Sequence, residues 1–211
     1  MKLNRELFND LKIQYDTQFP HAKYDVTDWN RFKYASSLFV GNSVIDIGAG
    51  SGVLLNYLAK SEQCETMVAM DISEHTRLIK NDAVNYILGD IRKQDFLVND
   101  LFDTVFCMEV IEHCNAGYNQ QILQNLRGIT LKRLVITVPF YEPSPVWWHD
   151  KPGGHRQRFT MEKLAKLFPR AIATIEQRYG VDWIFIIEDI SIDLNYFQIV
   201  SKEKVLDLLN Y

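Results

Sequence analysis

The sequence predicts a doubly wound α/β fold with a mostly parallel sheet that closes in an antiparallel C-terminal hairpin. Short apolar, β-branched segments alternate with helical segments from residue 43 onward, which is typical of parallel strands joined by crossover helices. The first strand-like segment ends in alternate glycines, Gly48, Gly50 and Gly52, where a tight turn into a helix is expected. After Pro139 the alternation stops, and the remaining strand-like segments lack long helices between them.

The predicted elements follow in a regular order along the chain. Leucines recur four apart in residues 3–18, and Asp28 is placed to cap a second helix, so residues 1–40 form a predicted N-terminal helical extension of the same domain. The main domain is expected to occupy residues 41–211. Its predicted strands span residues 43–47, 65–70, 84–88, 103–107, 133–138, 171–179, 183–187 and 196–200, and its predicted helices span residues 53–60, 118–127 and 161–168. The last two or three strands are expected to pair antiparallel, because no long helix joins them.

Composition and charge limit the classes of function. Hydrophobic residues make up 47% and charged residues 24% of the 211 residues, the balance of a globular protein. A formal net charge of -4 gives no electrostatic basis for a large nucleic-acid footprint, so a nucleic-acid partner is not expected. No apolar run approaches the roughly 20 residues of a membrane span, so no membrane partner is expected either. Three cysteines without metal-ligand spacing favour a reduced, cytoplasmic setting.

The spacing of the glycine cluster separates two classes of cofactor. A dinucleotide fingerprint reads G-x-G-x-x-G and directs a helix N-terminus at a pyrophosphate. Here the spacing is G-x-G-x-G, and Asp46 lies two residues before the first glycine. A carboxylate at that position repels a pyrophosphate but can bind the cationic amino group of a methionine-like moiety. The spacing therefore disfavours an NAD-dependent oxidoreductase and favours S-adenosylmethionine as the cofactor.

Residues 46–52 resemble the first motif of the class I S-adenosylmethionine-dependent methyltransferases. The resemblance continues in chain order and covers roughly residues 40–140, whereas the remainder matches only loosely. The further segments that carry it are residues 68–72, 88–91, 102–113 and 134–140. It implies the Rossmann-like fold of that family, S-adenosylmethionine as the cofactor and methyl transfer as the activity.

The resemblance assigns cofactor-binding roles to residues at successive strand ends. Asp71 would accept hydrogen bonds from both ribose hydroxyls, and Asp90 would accept one from the exocyclic amine of adenine. Ile72 and Ile91 would pack on the faces of the adenine ring. Taken singly, each acid could instead be a solvated strand-end residue or a helix cap. The implied cofactor-binding set is Asp46, Gly48, Ala49, Gly50, Gly52, Asp71, Ile72, Asp90, Ile91 and Met108.

A second cluster of candidate residues follows the fourth predicted strand. Glu109, Glu112 and His113 have the spacing i, i+3 and i+4, so they would share one face of a helix. Such a trio can bind a divalent cation, and it resembles the E-x-x-E-H pattern of metal-using ubiquinone-pathway O-methyltransferases and small-RNA 3′-end ribose methyltransferases. Alternatively, His113 acts as a general base without a metal, or the trio only packs. The small-RNA enzymes add a downstream histidine, for which His149 and His155 are candidates outside that family's local pattern.

Two further segments are candidates for the walls of the site. Residues 141–160 are predicted to form a loop that acts as an acceptor lid, with tryptophans at 147–148 and with His155 and Arg158 in a stretch that resembles glycan- and small-molecule-directed members of the family. Alternatively, these residues only pin the loop to the next helix. His21, Tyr24, Trp29 and Arg31 precede the first strand, in a region that folds over the cofactor in this family, or they only seal one face of the sheet.

The sequence thus predicts an enzyme that transfers a methyl group to an oxygen of a small-molecule or glycan-like acceptor. The candidate catalytic residues are His113, His155 and Glu109, and no metal ligand is assigned. N-methylation stays open, because an uncharged amine needs less assistance from a base. A metal-dependent RNA 2′-O-methyltransferase and a non-catalytic S-adenosylmethionine-binding module also stay open. The oligomeric state and the identity of the acceptor cannot be predicted.

Overall fold

A mixed sheet with helices on both faces organises the chain. The computed structural model describes residues 26–60, 64–73, 81–93, 100–140, 154–178 and 181–209. Its strands are β1 (Ser43–Ile47), β2 (Thr66–Asp71), β3 (Val84–Leu88), β4 (Phe102–Met108), β5 (Thr130–Phe140), β6 (Ile172–Arg178), β7 (Val181–Asp189) and β8 (Gln198–Ile199). Its helices are α1 (Val26–Ser37), α2 (Val53–Lys60), α3 (Asn119–Gly128), α4 (Met161–Leu167) and α5 (Lys202–Leu209).

The strands are ordered β3-β2-β1-β4-β5-β7-β6-β8 across the sheet. Strands β1 to β5 run parallel, and β7 pairs antiparallel with both β5 and β6. The carboxyl ends of the parallel strands therefore meet at one edge, and the strand order reverses between β1 and β4. A ligand site in an open α/β sheet forms at such a reversal, outside the carboxyl ends of the strands. This architecture confirms the predicted fold class.

Burial on both faces explains why the central strands are apolar nearly throughout. Every residue of β4 is buried, and in β1 only the first residue is partly exposed. One face packs against α3 and α4, whose buried side chains include Leu126 and Leu164. The other face packs against α1, α2 and α5, with Leu38, Leu55 and Val205 in its core. The continuous apolar patterns of the sequence are those of strands covered by helices on both sides.

Three features at the two ends of the chain differ from the sequence-based expectation. Helix α1 begins at Val26, so Asp28 lies inside the helix and does not precede it as a cap. Strand β8 pairs in parallel with β6, so the C-terminal part is not wholly antiparallel. Helix α5 was not predicted; it is a short amphipathic helix that follows Ser201, whose hydroxyl accepts a hydrogen bond from the backbone N–H of Lys204 at 3.2 Å. The helix predicted for residues 3–18 lies outside the described residues.

No helix among the described residues is long and apolar enough to cross a membrane.

A buried arginine, Arg133, joins three segments at the end of the sheet opposite the carboxyl ends of the parallel strands. The Arg133 side chain of β5 donates through Nε to Asp189 Oδ2 at 2.6 Å and through Nη1 to the Leu38 carbonyl at 2.8 Å. Both partners of this ion pair are nearly inaccessible, with side chains 6% and 4% exposed. Arg133 thereby links β5, the end of β7 and the residue that follows α1.

We expect Arg133→Met to lower the free energy of unfolding by about 3 kcal/mol, because it leaves the buried Asp189 carboxylate without its cation. Urea denaturation followed by circular dichroism measures this loss. Arg127→Met is the matched control, since the ion pair of Arg127 with Glu188 is partly exposed and worth about 1 kcal/mol. Equal losses in the two variants would contradict the anchoring role of Arg133.

Candidate functional site

The glycine loop turns the chain sharply at the carboxyl end of β1. Gly48 and Gly50 have φ angles of 73° and 55°, which favour glycine over residues with a Cβ. The N–H groups of Gly48 and Ala49 both donate to the Met70 carbonyl of β2, at 2.7 and 3.1 Å. A Cβ on Gly50 would meet no atom within 4 Å, so the backbone is open to a ligand at this point. Gly52 closes the turn by donating to the Ala49 carbonyl at 2.8 Å.

Asp71, at the end of β2, braces this loop. Its Oδ2 accepts a hydrogen bond from the Gly50 N–H at 2.9 Å. Its Oδ1 accepts from the N–H and the hydroxyl of Ser73, at 2.9 and 3.1 Å. Each carboxylate oxygen has two lone pairs, so the hydrogen bond from Gly50 still leaves Oδ2 able to accept from a ligand hydroxyl. The sequence identified Asp71 but not its bond to the glycine loop.

A cavity of about 370 Å³ opens at the carboxyl ends of β1, β2 and β4, a size within the usual range for small-molecule sites. Its lining includes five of the ten residues in the implied cofactor-binding set, together with two of the three candidate catalytic residues. The Ile72 side chain is 61% exposed, an apolar surface available to a planar ligand. The lining residues are Ile47, Gly48, Met70, Asp71, Ile72, Gly89, Asp90, Ile91, Arg92, Glu109, Val110, His113 and Cys114.

Asp90 enters the cavity lining together with Arg92, which no sequence motif had identified. The Arg92 side chain donates through Nε and Nη2 to the two carboxylate oxygens of Asp90, at 2.8 and 2.7 Å. These hydrogen bonds from Arg92 lower the pKa of Asp90 below its ordinary value. The Arg92 guanidinium also lies over the ring of Tyr118, 5.8 Å from its centroid. The carboxylate of Asp90 is therefore held ionised and fixed in orientation.

Asp46 is a buried carboxylate beneath the glycine loop. The residue is only 5% exposed. Burial raises the pKa of Asp46 to about 8, the Asp71 carboxylate adds to the increase, and the Arg31 guanidinium opposes it. A positive charge placed next to Asp46 would favour its ionised form. The structure thus places at the end of β1 an acid that a cationic ligand group would stabilise.

Helix α1 brings Arg31 into this acidic region. Its guanidinium forms an ion pair with Glu109 at the end of β4 and lies over the rings of Phe32 and Trp183, 5.2 and 5.7 Å from their centroids. Arg31 is 6% exposed, so the pair is largely shielded from water. The N-terminal segment therefore contributes a charge to the site as well as covering the sheet. His21, Tyr24 and the side chain of Trp29 lie outside the described residues.

The expectation that Glu109, Glu112 and His113 share one helical face is wrong. Glu109 has a φ of 58°, a left-handed conformation that is rare for residues other than glycine. This turn directs the chain away from β4 into a single 3₁₀ turn, Ile111–His113, which ends at the extended Cys114. Glu109 faces Arg31, whereas Glu112 is fully buried and His113 is exposed at the cavity wall. The i, i+3, i+4 rule does not hold across a left-handed residue.

His155 joins Glu112 and His113 from a distant part of the chain. The rings of His113 and His155 are in edge-to-face contact, with centroids 4.9 Å apart and planes at 75°. One ligand atom from each of Glu112, His113 and His155 lies within 4.8 Å of the others. The backbone N–H of Arg156 donates to the Glu112 carbonyl at 2.6 Å, which holds the two segments together. His149 and the tryptophans at 147–148 lie outside the described residues.

Met108 is not among the residues that line the described cavity. It is 8% exposed and packs with the core between the sheet and helices α1 and α2. The two residues that follow it, Glu109 and Val110, do line the cavity. Thr160 caps α4 and accepts a hydrogen bond from the Lys163 N–H at 3.4 Å.

The family model for a methyltransferase domain matches residues 21–172 of this chain. No curated protein sequence gives a significant match. The match to the family model spans the glycine loop, the strand ends and the Glu112–His113–His155 cluster described above.

Solved structures share the fold at low sequence identity. Magnesium protoporphyrin IX methyltransferase from Synechocystis PCC 6803 is 15% identical, with a TM-score of 0.59 over 87% of this chain and 96% of that one. The small RNA methyltransferase HEN1 is 19% identical, with a TM-score of 0.59 over 83% of this chain but 27% of HEN1. An O-methyltransferase family protein from Burkholderia thailandensis is 10% identical, with a TM-score of 0.53 over 87% of this chain and 71% of that one.

The burial of Asp46 makes the free energy of unfolding depend on pH. Its folded-state pKa of about 8 lies far above the value of about 3.9 in an unfolded chain, so its contribution to stability is lost as pH rises from about 4 to about 8. Asp46→Asn removes this dependence. We expect the free energy of unfolding of the variant, minus that of the wild type, to increase steadily across this pH window in urea titrations. A difference that stays constant with pH would show that the Asp46 carboxylate is not desolvated.

Proposed function

Because the chain belongs to the methyltransferase domain family and is an S-adenosylmethionine-dependent methyltransferase, we propose that it methylates a hydroxyl oxygen of a small-molecule or glycan-like acceptor, with His113 as the general base. One observation carries the proposal: His113 lines the cavity and contacts His155 beside the buried Glu112. We also propose a cytoplasmic location, which the three free cysteine thiols support.

The cavity residues fit the nucleoside part of the cofactor. We propose that Asp71 accepts hydrogen bonds from the ribose hydroxyls and that the exposed side chain of Ile72 packs on the adenine ring. Asp90 would accept from the exocyclic amine through lone pairs not used by Arg92. When bound, S-adenosylmethionine supplies an activated methyl group on a sulfonium sulfur.

The acidic region at the ends of β1 and β4 fits the methionine part. Asp46 is a buried acid whose raised pKa an ammonium group would lower again. Arg31 is the cation next to Glu109, and a ligand carboxylate could accept hydrogen bonds from it. The open backbone at Gly50 leaves room for close approach. Charges of both signs are therefore available for a zwitterionic group.

The histidine pair supplies the chemistry that a hydroxyl acceptor needs. A hydroxyl must lose its proton as it takes up the methyl group, and a general base accelerates such a step by about 10²–10⁴-fold. His113 is the exposed imidazole at the cavity wall, while His155 and Glu112 are buried behind it. A buried carboxylate stabilises the imidazolium that forms on proton transfer. The acceptor would enter beside His113, on the open side of the cavity.

A second candidate function uses the same cluster differently. One carboxylate and two imidazoles within 4.8 Å of one another form a donor set that suits a divalent transition metal. A metal-dependent O-methyltransferase is the alternative that this observation favours. An RNA acceptor has less support, because a formal net charge of -4 provides no overall electrostatic attraction to RNA phosphates.

Asp71 provides the test of the cofactor site. We expect Asp71→Asn to weaken the binding of S-adenosylmethionine by about 1–3 kcal/mol, because it removes the charged acceptor for the ribose hydroxyls. Isothermal titration calorimetry measures the affinity. Asp207→Asn, on the exposed face of α5, is the control and should bind as the wild type does. Unchanged affinity in Asp71→Asn, or tighter binding of NAD than of S-adenosylmethionine, would overturn the cofactor assignment.

His113 provides the test of the reaction. With radiolabelled S-adenosylmethionine and a panel of catechols, sugars and amines, we expect methyl transfer to hydroxyl acceptors. His113→Gln should reduce the rate about 100-fold or more, while the affinity for S-adenosylmethionine stays within twofold. Lys204→Gln, on the exposed face of α5, serves as the control. The assay is repeated with EDTA and then with added Mg²⁺, Mn²⁺ or Co²⁺.

Each outcome of this assay selects one function. Activity that survives EDTA and falls in His113→Gln supports the general base. Activity lost in EDTA and restored by one of the cations supports the metal-dependent alternative. Methylation of amines that persists in His113→Gln supports N-methylation and overturns the main proposal. Cofactor binding without transfer to any acceptor in the panel would favour a binding module.

A further inference from the structure

We propose that Gln157 is a positioning residue that holds His113 and His155 in contact; this inference rests on the function proposed for His113. Gln157 is 6% exposed and lies two residues after His155. Its side-chain amide makes hydrogen bonds to three separate segments: the 3₁₀ turn that carries His113, the start of α3, and α4. No motif or spacing in the sequence singles it out.

The first set of bonds fixes the turn that presents His113. Gln157 Nε2 donates to the carbonyls of Ile111 and Cys114, at 2.7 and 3.0 Å. These two carbonyls flank His113 on either side along the chain. A 3₁₀ turn of three residues has few internal hydrogen bonds and poor bond geometry, so its conformation depends on external anchors. Gln157 is such an anchor at both ends of the turn.

The second set fixes the orientation of the amide itself. Gln157 and Asn119 pair side chain to side chain, with Nε2 donating at 2.8 Å and Oε1 accepting at 3.0 Å. Nε2 carries two N–H groups and has three acceptors, so one N–H is shared between two of them. Lys163 Nζ donates to Oε1 at 2.7 Å. An ammonium can only donate and the turn carbonyls can only accept, so each end of the amide has a single possible assignment. Neither a carboxylate nor an apolar side chain can satisfy both sets of partners.

Gln157 also determines where His155 lies. Along residues 155–159 burial alternates: His155, Gln157 and Phe159 are buried, while Arg156 and Arg158 are exposed. This alternation is typical of an extended segment, and it places the side chains of His155 and Gln157 on the same, buried side. The Arg156 N–H bonds the Glu112 carbonyl between them. Anchoring Gln157 on the turn therefore sets the distance between the two imidazole rings.

The test compares Gln157→Leu with Gln121→Leu in the full chain. Gln121 is the matched control, because its amide also donates to a side chain, Asn125 Oδ1 at 3.0 Å, but within α3 and away from the turn. The readout is the nuclear Overhauser contact between the ring protons of His113 and His155, assigned with His113→Gln and His155→Gln. The pH titration of both ring signals and the affinity for S-adenosylmethionine by calorimetry are measured in parallel.

In Gln157→Leu we expect the contact between the two rings to weaken at least fivefold and their titration curves to shift, with cofactor affinity within twofold of the wild type. Gln121→Leu should match the wild type in every measurement. If Gln157→Leu does not fold, Gln157→Glu, which keeps the length and the Lys163 partner, should show the same losses. An unchanged ring contact and unchanged titration curves in the folded variant would overturn the inference.

This experiment needs no acceptor, so it can fail separately from the proposed function. Full methyl transfer by His113→Gln would refute the role of His113 whatever the ring contact shows. Loss of transfer in His113→Gln, together with an intact ring contact in the Gln157 variants, would leave the function standing and refute only the positioning role.

Discussion

Carboxylates gather at the carboxyl edge of the parallel sheet, and a buried guanidinium opposes their repulsion. Asp46, Asp71 and Glu109 lie at the ends of neighbouring strands, so the topology brings them together. The Asp71 carboxylate raises the pKa of the buried Asp46, and the Arg31 guanidinium lowers it. Arg31 also pairs with Glu109. The site is therefore complete only when α1, which lies outside the strand–helix alternation, packs on the sheet.

The glycine loop after β1 is in direct contact with the segment that follows β4. A Cβ on Gly48 would lie 2.2 Å from Val110 Cγ2, so the glycine loop packs directly on the segment that leaves β4. That segment passes through the left-handed Glu109 and into the turn that carries His113. A side chain larger than glycine at position 48 would therefore collide with the segment that leads to His113.

Sequence patterns predicted the elements that are determined by residues close together in the chain. The bounds of β1 and α2 were correct to the residue, because an apolar strand, a glycine turn and an apolar helix follow one another there. The ion pair of Arg31 with Glu109 joins residues far apart in the chain, and no spacing rule reveals it. The helical spacing rule failed at the left-handed Glu109 because the surrounding structure imposes its conformation. Gln157 could not be predicted because its partners come from three segments.

The burial of Glu112 bears on how the histidine pair can act. Burial raises the pKa of the Cys107 thiol, and the neighbouring Glu112 carboxylate adds to the increase. A carboxylate shielded from water favours positive charge nearby. In the proposed reaction, His113 would start neutral and would gain a proton from the acceptor. In the proposed reaction, Glu112 would stabilise the charge that develops during transfer more than the charge present before it, which is the condition for accelerating the step.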